Sequence, residues 1–199
     1  MALESGGYAE KIGNRYEANW IAYQLLRLLD EKITSVIVEP VGSDEVGTDV
    51  IVENRDNSAE HHQCKSSSGD RETWTISLLA EKGILANAYE QISRGNKEFH
   101  VVSPLPSKQL SDLRDSALNS PEDVKDFYKE QICSSKARKA HFEELCKRLN
   151  LNTEDDVDLE KARLVLRNLI IKPYQIDKFT VELLHDYANR LYLGKPSLL

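Results

Sequence analysis

Three polar residues in the first third of the chain have the types and spacing of a metal-dependent hydrolytic site. Asp49 begins a β-branched run, and Gln63 and Lys65 stand two residues apart in a later run. Carboxylate and amide oxygens suit Mg²⁺, with Mn²⁺ as the alternative cation. The cation would activate a water and neutralise phosphate charge, while the lysine orients that water or stabilises developing negative charge. The backbone carbonyl of Cys64 offers a further ligand, so this pattern indicates phosphodiester hydrolysis.

Two predicted strands must bring these residues together. Residues 48–53 and 59–66 are rich in strand-forming residues and are joined by a polar turn. If that turn contains an odd number of residues centred on its aspartate, antiparallel pairing places Asp49 opposite Gln63. Lys65 then lies one pleat along on the same face. A register slip of one residue would send these side chains to opposite faces.

A predicted helix over 14–32 supplies the next candidate, Glu17. This residue precedes Trp20 by three positions and Ile21 by four, so it lies along the apolar stripe of the helix. A carboxylate on an inward face is costly unless it is paired or bound to a metal. The alternative is a solvated carboxylate at a frayed helix end, favoured there by the helix dipole. Beside the predicted hairpin, we interpret Glu17 as a metal ligand.

The order of these residues resembles the PD-(D/E)xK nuclease superfamily. The resemblance rests on Tyr16-Glu17, on Gly47-Thr48-Asp49-Val50-Ile51-Val52 and on Gln63-Cys64-Lys65-Ser66. The Gln-x-Lys form is similar to the Mrr-like restriction endonucleases. It is more similar to the double-stranded DNA endonuclease effectors of bacterial antiphage systems, which occur in CBASS operons and at the N-terminus of the STAND-NTPase sensors called Avs. Gly6-Gly7-Tyr8 and Trp74-Thr75 also resemble that group, so the likeness covers about residues 6–102.

The resemblance implies a specific activity. Glu17, Asp49, Gln63 and Lys65 would be the catalytic residues, and Glu17, Asp49, Gln63 and the Cys64 carbonyl would hold Mg²⁺. The substrate would be double-stranded DNA, cut with little sequence specificity by an antiphage effector domain that oligomerisation activates. A sensor or NTPase module, fused or separate, would be a partner. Gln63 stands where the family usually has a second acid, which leaves the number of metal ions open.

Other residues have weaker claims to a functional role. Asp44 and Glu45 are alternative metal ligands, although such a pair is more often a solvated turn. His61 is a candidate phosphate contact, although adjacent histidines more often fill strand positions. Trp74 is expected in the core rather than as a platform for base stacking.

DNA-backbone contacts are predicted in two places. Ser66 and Ser67 end the second strand of the hairpin and could donate hydrogen bonds to phosphates. Lys136, Arg138 and Lys139 form the best basic patch. A solvated helix face interleaved with glutamates is an equal or better interpretation of that patch.

The remaining sequence predicts an α/β fold. The resemblance implies that residues 1–104 form a restriction-endonuclease-like core, a central mixed sheet flanked by helices, and we expect a C-terminal helical extension of the same domain over 105–199. A first strand is predicted over 35–39, before the two hairpin strands, a second helix over 78–94 and a fourth strand over 99–102. The extension is predicted to contain helices starting near Pro121, with Ser120 as N-cap, and over 136–149, 159–170 and 180–193.

Bulk properties limit the class of protein. The net charge of −7 gives no overall basic footprint, so the isolated chain should hold DNA weakly until copies assemble. Three widely spaced cysteines form no disulfide framework and are expected as buried or partly buried thiols. No secretion signal or membrane span is present, so we expect a cytoplasmic protein. No P-loop pattern occurs, which places any NTPase module outside these residues.

Two other functions fit the same sequence. One is an inactive nuclease fold used for oligomerisation or partner binding. The other is a stand-alone Mrr-like restriction nuclease or junction-resolving enzyme. Metal-dependent cleavage distinguishes the first of these from an active effector domain.

Overall fold

The chain forms an α/β structure with a five-stranded sheet at its centre. The computed structural model describes residues 4–66, 72–95, 98–120 and 122–174. Its strands are β1 (Ile33–Val38), β2 (Val50–Asn54), β3 (Ala59–Cys64), β4 (Glu98–Ser103) and β5 (Leu169–Pro173). Its α-helices are α1 (Glu4–Leu29), α2 (Ile76–Glu81), α3 (Ile84–Ser93), α4 (Lys108–Leu118), α5 (Val124–Asp126), α6 (Lys136–Arg148) and α7 (Asp156–Asn168).

The sheet is mixed and follows chain order, β1-β2-β3-β4-β5. Strands β1, β2 and β3 are antiparallel neighbours, whereas β3, β4 and β5 are parallel. The two parallel connections run through helices, as parallel pairing requires. The predicted mixed sheet flanked by helices is therefore confirmed.

Helix α1 covers one face of the sheet and packs on β1 and β3. The core on this face contains Trp20, Ile33, Val50, Val52, Cys64 and Val102. The buried line of α1 runs through Trp20 and Gln24, and Gln24 is fully buried. Leu25 and Leu29, which recur at helical spacing in the same segment, are exposed instead.

The opposite face carries the larger core. Phe99 and Val101 of β4 and Leu169 and Ile171 of β5 pack there against residues from α2, α3, α4, α6 and α7. This core draws on both sides of residue 104, so helices of the predicted extension cover the same sheet. The boundary at 104 stays a prediction.

Several predicted elements differ in detail. The helix over 78–94 is two helices, because Gly83 adopts a left-handed conformation at φ 71° and interrupts the hydrogen-bond ladder. The helix over 159–170 ends at Asn168, and the following apolar residues form β5. The predicted Ser120 cap is wrong, because Asp123 caps the helix that begins at Val124. The helix expected over 180–193 lies outside the described residues.

Helix α6 agrees with its prediction. It spans Lys136–Arg148, and the apolar residues Phe142, Leu145 and Leu149 are buried. Among the described residues, no helix has the length and apolar character needed to cross a bilayer.

Candidate functional site

The hairpin of β2 and β3 has the predicted register. Val50 pairs with His62 and Glu53 pairs with Ala59, so the turn is centred on Asp56. The ladder ends one pair before Asp49 and Gln63, where the backbone N–H of Asp49 donates to the His62 carbonyl at 2.8 Å. Asp49 therefore lies beside the end of β3, as the sequence predicted.

A left-handed turn directs the chain into Asp49. Gly47 has φ 62°, and a Cβ placed there would lie 2.2 Å from Asn87 Nδ2 of α3. Only glycine fits both the backbone conformation and the close approach of α3. Gln91 of α3 is fully buried, and its Nε2 donates to the carbonyls of Ser43 and Val46 in the same turn. Helix α3 thus holds the loop that carries Asp49.

Asp49 is anchored by the neighbouring strand. Its carboxylate accepts a hydrogen bond of 2.6 Å from the backbone N–H of Cys64. Burial raises the pKa of Asp49, while the Cys64 N–H and the positive charge of Lys65 act in the opposite direction. The result is a partly desolvated carboxylate within electrostatic reach of the Lys65 ammonium group.

Glu17 of α1 joins this charge cluster. Burial raises the pKa of Glu17, and the negative charges of Asp49 and Glu39 raise it further, while Lys65 lowers it. The structure therefore brings Glu17, Asp49 and Lys65 within electrostatic reach of one another. Two carboxylates with raised pKa values are stabilised by a nearby divalent cation, because the cation favours their charged forms.

Gln63 is buried on the other face of the sheet. It pairs with Val101, which belongs to the larger core, whereas its neighbour Cys64 belongs to the core under α1. The side chain is 5% exposed, and its Oε1 has no hydrogen-bond partner among the described residues. A buried carbonyl oxygen without a hydrogen-bond partner destabilises the folded protein. Such an oxygen is also a type of ligand that Mg²⁺ binds. That Gln63 and Glu17 share one cation, with the Cys64 carbonyl, stays a prediction.

The weaker candidates lie in different surroundings. His61 is 3% exposed, which agrees with the strand-filling interpretation rather than a phosphate contact. Burial lowers the pKa of His61, and the negative charge of Asp44 acts in the opposite direction. Trp74 is buried and donates from Nε1 to Ser103 Oγ at 2.9 Å, as expected of a core residue. Ser66 is half-buried after β3, and Ser67 lies outside the described residues.

The predicted basic patch lies on α6, which packs on α2 and α4. Arg138 donates to the Gln131 carbonyl, and Lys139 forms an ion pair of 3.6 Å with Glu143. Lys136 is exposed. This arrangement matches the interpretation of a solvated face with interleaved glutamates, and DNA binding by the patch stays a prediction.

The cysteines are mixed in exposure. Cys64 and Cys146 are buried, and burial raises the pKa of both thiols, to about 12 for Cys146. Cys133 is exposed, so the expectation of a buried or partly buried thiol is wrong there.

Sequence reasoning missed a second cluster under α1, which we call the Glu–His cluster: Glu60, His62, Glu98 and His100. Both strands carry Glu-x-His, and parallel pairing sets Glu60 beside Glu98 and His62 beside His100. Glu60 Oε2 lies 3.0 Å from His62 Nε2 and 3.9 Å from His100 Nε2, and Glu98 Oε2 lies 2.9 Å from His100 Nε2. The repeated Glu-x-His spacing was the signal in the sequence.

The Glu–His cluster is asymmetric in charge. Burial lowers the pKa of His62 to about 4. Burial alone would raise the pKa of Glu60, but hydrogen bonds from His62 and from Asn54 outweigh it and hold that pKa at about 2. At neutral pH a neutral His62 therefore faces an ionised Glu60. The possible ligand atoms of Glu60, His62 and His100 all lie within 4.8 Å of one another.

Comparisons with known proteins leave the family open. No protein-family model matches the chain, and no curated protein matches it. Among solved structures, the Cap4 SAVED/CARF-domain containing receptor of Acinetobacter baumannii, with the cyclic trinucleotide 3'3'3'-cAAA, is similar at 13% identity and TM-score 0.47. The alignment covers 89% of this chain and 36% of the receptor.

A second receptor gives the same picture. The Cap4 SAVED/CARF-domain containing receptor of Moraxella osloensis is similar at 15% identity and TM-score 0.43, over 90% of this chain and 38% of that protein. The chain thus spans little more than a third of either receptor. A likeness at this level assigns no ligand and no activity to this chain.

Proposed function

We propose that the chain is a metal-dependent endonuclease domain that hydrolyses phosphodiester bonds of double-stranded DNA. The observation that carries the proposal is the grouping of Glu17, Asp49 and Lys65 at the end of β3. Two carboxylates with raised pKa values share this place with one ammonium group. That combination suits a divalent cation and a group that stabilises negative charge.

The residues present fit Mg²⁺ or Mn²⁺. Glu17 and Asp49 offer hard anionic oxygens. Gln63 is the proposed neutral ligand from the opposite face of the sheet, since its buried Oε1 has no hydrogen-bond partner among the described residues. The bound cation would lower the pKa of a water and neutralise charge on the phosphate. Asp49, fixed by the Cys64 N–H, would orient the cation, and Lys65 would stabilise the negative charge that develops on the phosphate.

The biological role is proposed from the sequence resemblance alone. Similarity to antiphage effector nucleases supports a role in bacterial defence, with a sensor or NTPase module as partner. The net charge of −7 supports activation by assembly, because one acidic domain holds polyanionic DNA weakly. Several copies on one duplex would raise the effective concentration of each site.

Plasmid cleavage in Mg²⁺ and in EDTA tests the proposal. Both the free chain and the chain fused to a trimeric coiled coil are compared with Asp49→Asn and with Asp115→Asn, an exposed aspartate. We expect cutting by the wild type and by Asp115→Asn in Mg²⁺ only, and none by Asp49→Asn. Equal cutting in EDTA contradicts metal dependence. Absence of cutting by the fused wild type contradicts the nuclease and favours the inactive-fold alternative.

A further inference from the structure

The hydrogen bond between Trp20 of α1 and His62 of β3 fixes the protons of the Glu–His cluster. Trp20 Nε1 lies 3.0 Å from His62 Nδ1, and an indole N–H can only donate. The lone pair of the neutral ring must therefore be on Nδ1 and its proton on Nε2. That Nε2–H donates to Glu60 Oε2 at 3.0 Å.

This proton arrangement opposes a bound cation. A metal-ligating histidine offers a lone pair on one nitrogen and donates its other N–H to an acceptor. His62 has the reverse arrangement, because a donor faces its Nδ1. The Nδ1 of His100 has no hydrogen-bond partner among the described residues, so it lacks the acceptor that a ligating ring uses. The cluster is therefore built as a hydrogen-bond chain.

This chain of hydrogen bonds links α1 to the hairpin that carries Asp49. Glu60 Oε1 accepts a second hydrogen bond, of 2.8 Å, from Nδ2 of Asn54, the last residue of β2. A continuous path thus runs from Trp20 through His62 and Glu60 to Asn54. Trp20 is 3% exposed and His62 is 1% exposed, so water cannot easily replace these bonds.

Trp20 follows Glu17 by three residues, and side chains at that spacing are neighbours on one helix face. The attachment of Trp20 therefore sets where Glu17 lies along β3. We propose that Trp20 and His62 are positioning residues, whose hydrogen bond fixes α1 on the sheet and keeps Glu17 beside Asp49. The consequence for metal binding rests on the proposed function, whereas the attachment of α1 does not.

The chain offers a matched control for removing the Trp20 bond. Its two tryptophans are both buried, and each donates from Nε1 to a strand side chain: Trp20 to His62, and Trp74 to Ser103 at 2.9 Å. Trp20→Phe and Trp74→Phe each remove one such hydrogen bond and keep an aromatic ring. Both variants should lose similar thermal stability, so they separate positioning from general destabilisation.

Amide hydrogen exchange in α1 reports the attachment directly. We expect Trp20→Phe to speed exchange around residues 15–24 by about tenfold or more, while Trp74→Phe leaves that segment unchanged. Equal exchange in α1 for the two variants overturns the proposal. This readout stands whether or not the protein binds metal.

Mn²⁺ calorimetry gives the second readout. If the wild type binds Mn²⁺, we expect about tenfold weaker binding by Trp20→Phe and unchanged binding by Trp74→Phe, as for other outer residues of metal sites. Unchanged binding by Trp20→Phe overturns the role in positioning Glu17 but leaves the proposed function standing. No Mn²⁺ binding by the wild type instead contradicts the proposed function.

Substitutions at His62 test the acceptor itself. His62→Asn keeps an acceptor near the position of Nδ1, whereas His62→Leu removes it at similar size, and both lose the donor to Glu60. We expect amide exchange in α1 to be slower in His62→Asn than in His62→Leu, and close to the wild-type rate. Equal amide exchange in these two variants contradicts the proposal. A rise in the wild-type Tm on adding Zn²⁺ that is lost in His100→Ala also contradicts it, because it would show that the Glu–His cluster binds a cation.

Discussion

The Asp49 carboxylate and the backbone N–H of Cys64 are joined by a hydrogen bond of 2.6 Å across the end of the hairpin. This bond fixes one acid between two strands before any cation is present. Glu17 belongs to α1 instead, so its helix sets its position. The site therefore combines a rigid acid on the sheet with an acid whose position depends on how α1 packs.

Replacing Asp49 should stabilise the protein without metal. Burial raises its pKa, so the folded state binds the proton more tightly than the unfolded state and the ionised form costs stability at neutral pH. Asp49→Asn removes that charge and its repulsion with Glu17, while its amide oxygen can still accept from Cys64. We expect the Tm in EDTA to rise by about 2–5 °C.

The sign of that change should reverse with metal. On the proposed function, Mn²⁺ should stabilise the wild type by binding its folded state, whereas Asp49→Asn would lack the charge that binds the cation. Asp115→Asn is the control and should shift Tm by less than about 1 °C under both conditions. A lower Tm for Asp49→Asn in EDTA would show that the acid is structural.

Gly47 should not tolerate a side chain. Alanine there must adopt φ 62° and meet Asn87 Nδ2 at 2.2 Å. The left-handed conformation costs about 1–2 kcal/mol, and the clash adds to it. Urea denaturation should show a loss of at least about 2 kcal/mol for Gly47→Ala. Because the Asn87 Cβ would also lie 2.5 Å from the new side chain, only Asn87→Gly removes the clash, and combining it with Gly47→Ala should leave the backbone cost in place. Full recovery in Gly47→Ala/Asn87→Gly, relative to Asn87→Gly alone, would contradict the backbone argument.

Acid should destabilise the protein in two steps. Burial lowers the pKa of His62 from 6.5 to about 4, so the unfolded state takes up this proton at a higher pH than the folded state does. The free energy of unfolding therefore falls as the pH drops from about 6.5 to about 4. The pKa of Glu60 is lowered to about 2 from 4.5, so its contribution is lost below about 4.5. The His62 step corresponds to about 3 kcal/mol.

The upper step belongs to His62, whose pKa is lowered chiefly by burial and further by His100 and by the Arg27 charge. Urea midpoints measured from pH 7 to pH 4 should flatten in His62→Asn and remain steep in His141→Gln. A steep profile in His62→Asn would assign the acid sensitivity to other groups.

Local patterns predicted the hairpin well and the helices less well. The β-branched runs and the turn centred on Asp56 were enough to set the register, because a slip of one residue would bury charge. The face of α1 was harder to predict. Leu25 and Leu29 match the helical period but are exposed, while Gln24 is buried, because tertiary packing decides which stripe faces the sheet.

The Glu–His cluster shows a different limit. His62 and His100 are 38 residues apart in sequence and become neighbours only through parallel pairing of β3 and β4. Local spacing can place a histidine on a strand face but cannot identify the adjacent parallel strand or its register. The same limit applies to β5: the sequence predicts a short extended segment over 170–176, but its parallel pairing with β4 cannot be identified from local spacing.

Lys65 gives the most direct test of the central claim. Plasmid cleavage in Mg²⁺ should be measured for the coiled-coil fusion of wild type, Lys65→Ala and Lys82→Ala, where Lys82 is an exposed lysine on another helix end. We expect Lys65→Ala to cut at least about 100-fold more slowly, while remaining folded, and Lys82→Ala to cut as the wild type does. Undiminished cleavage by Lys65→Ala would contradict the assignment of the site.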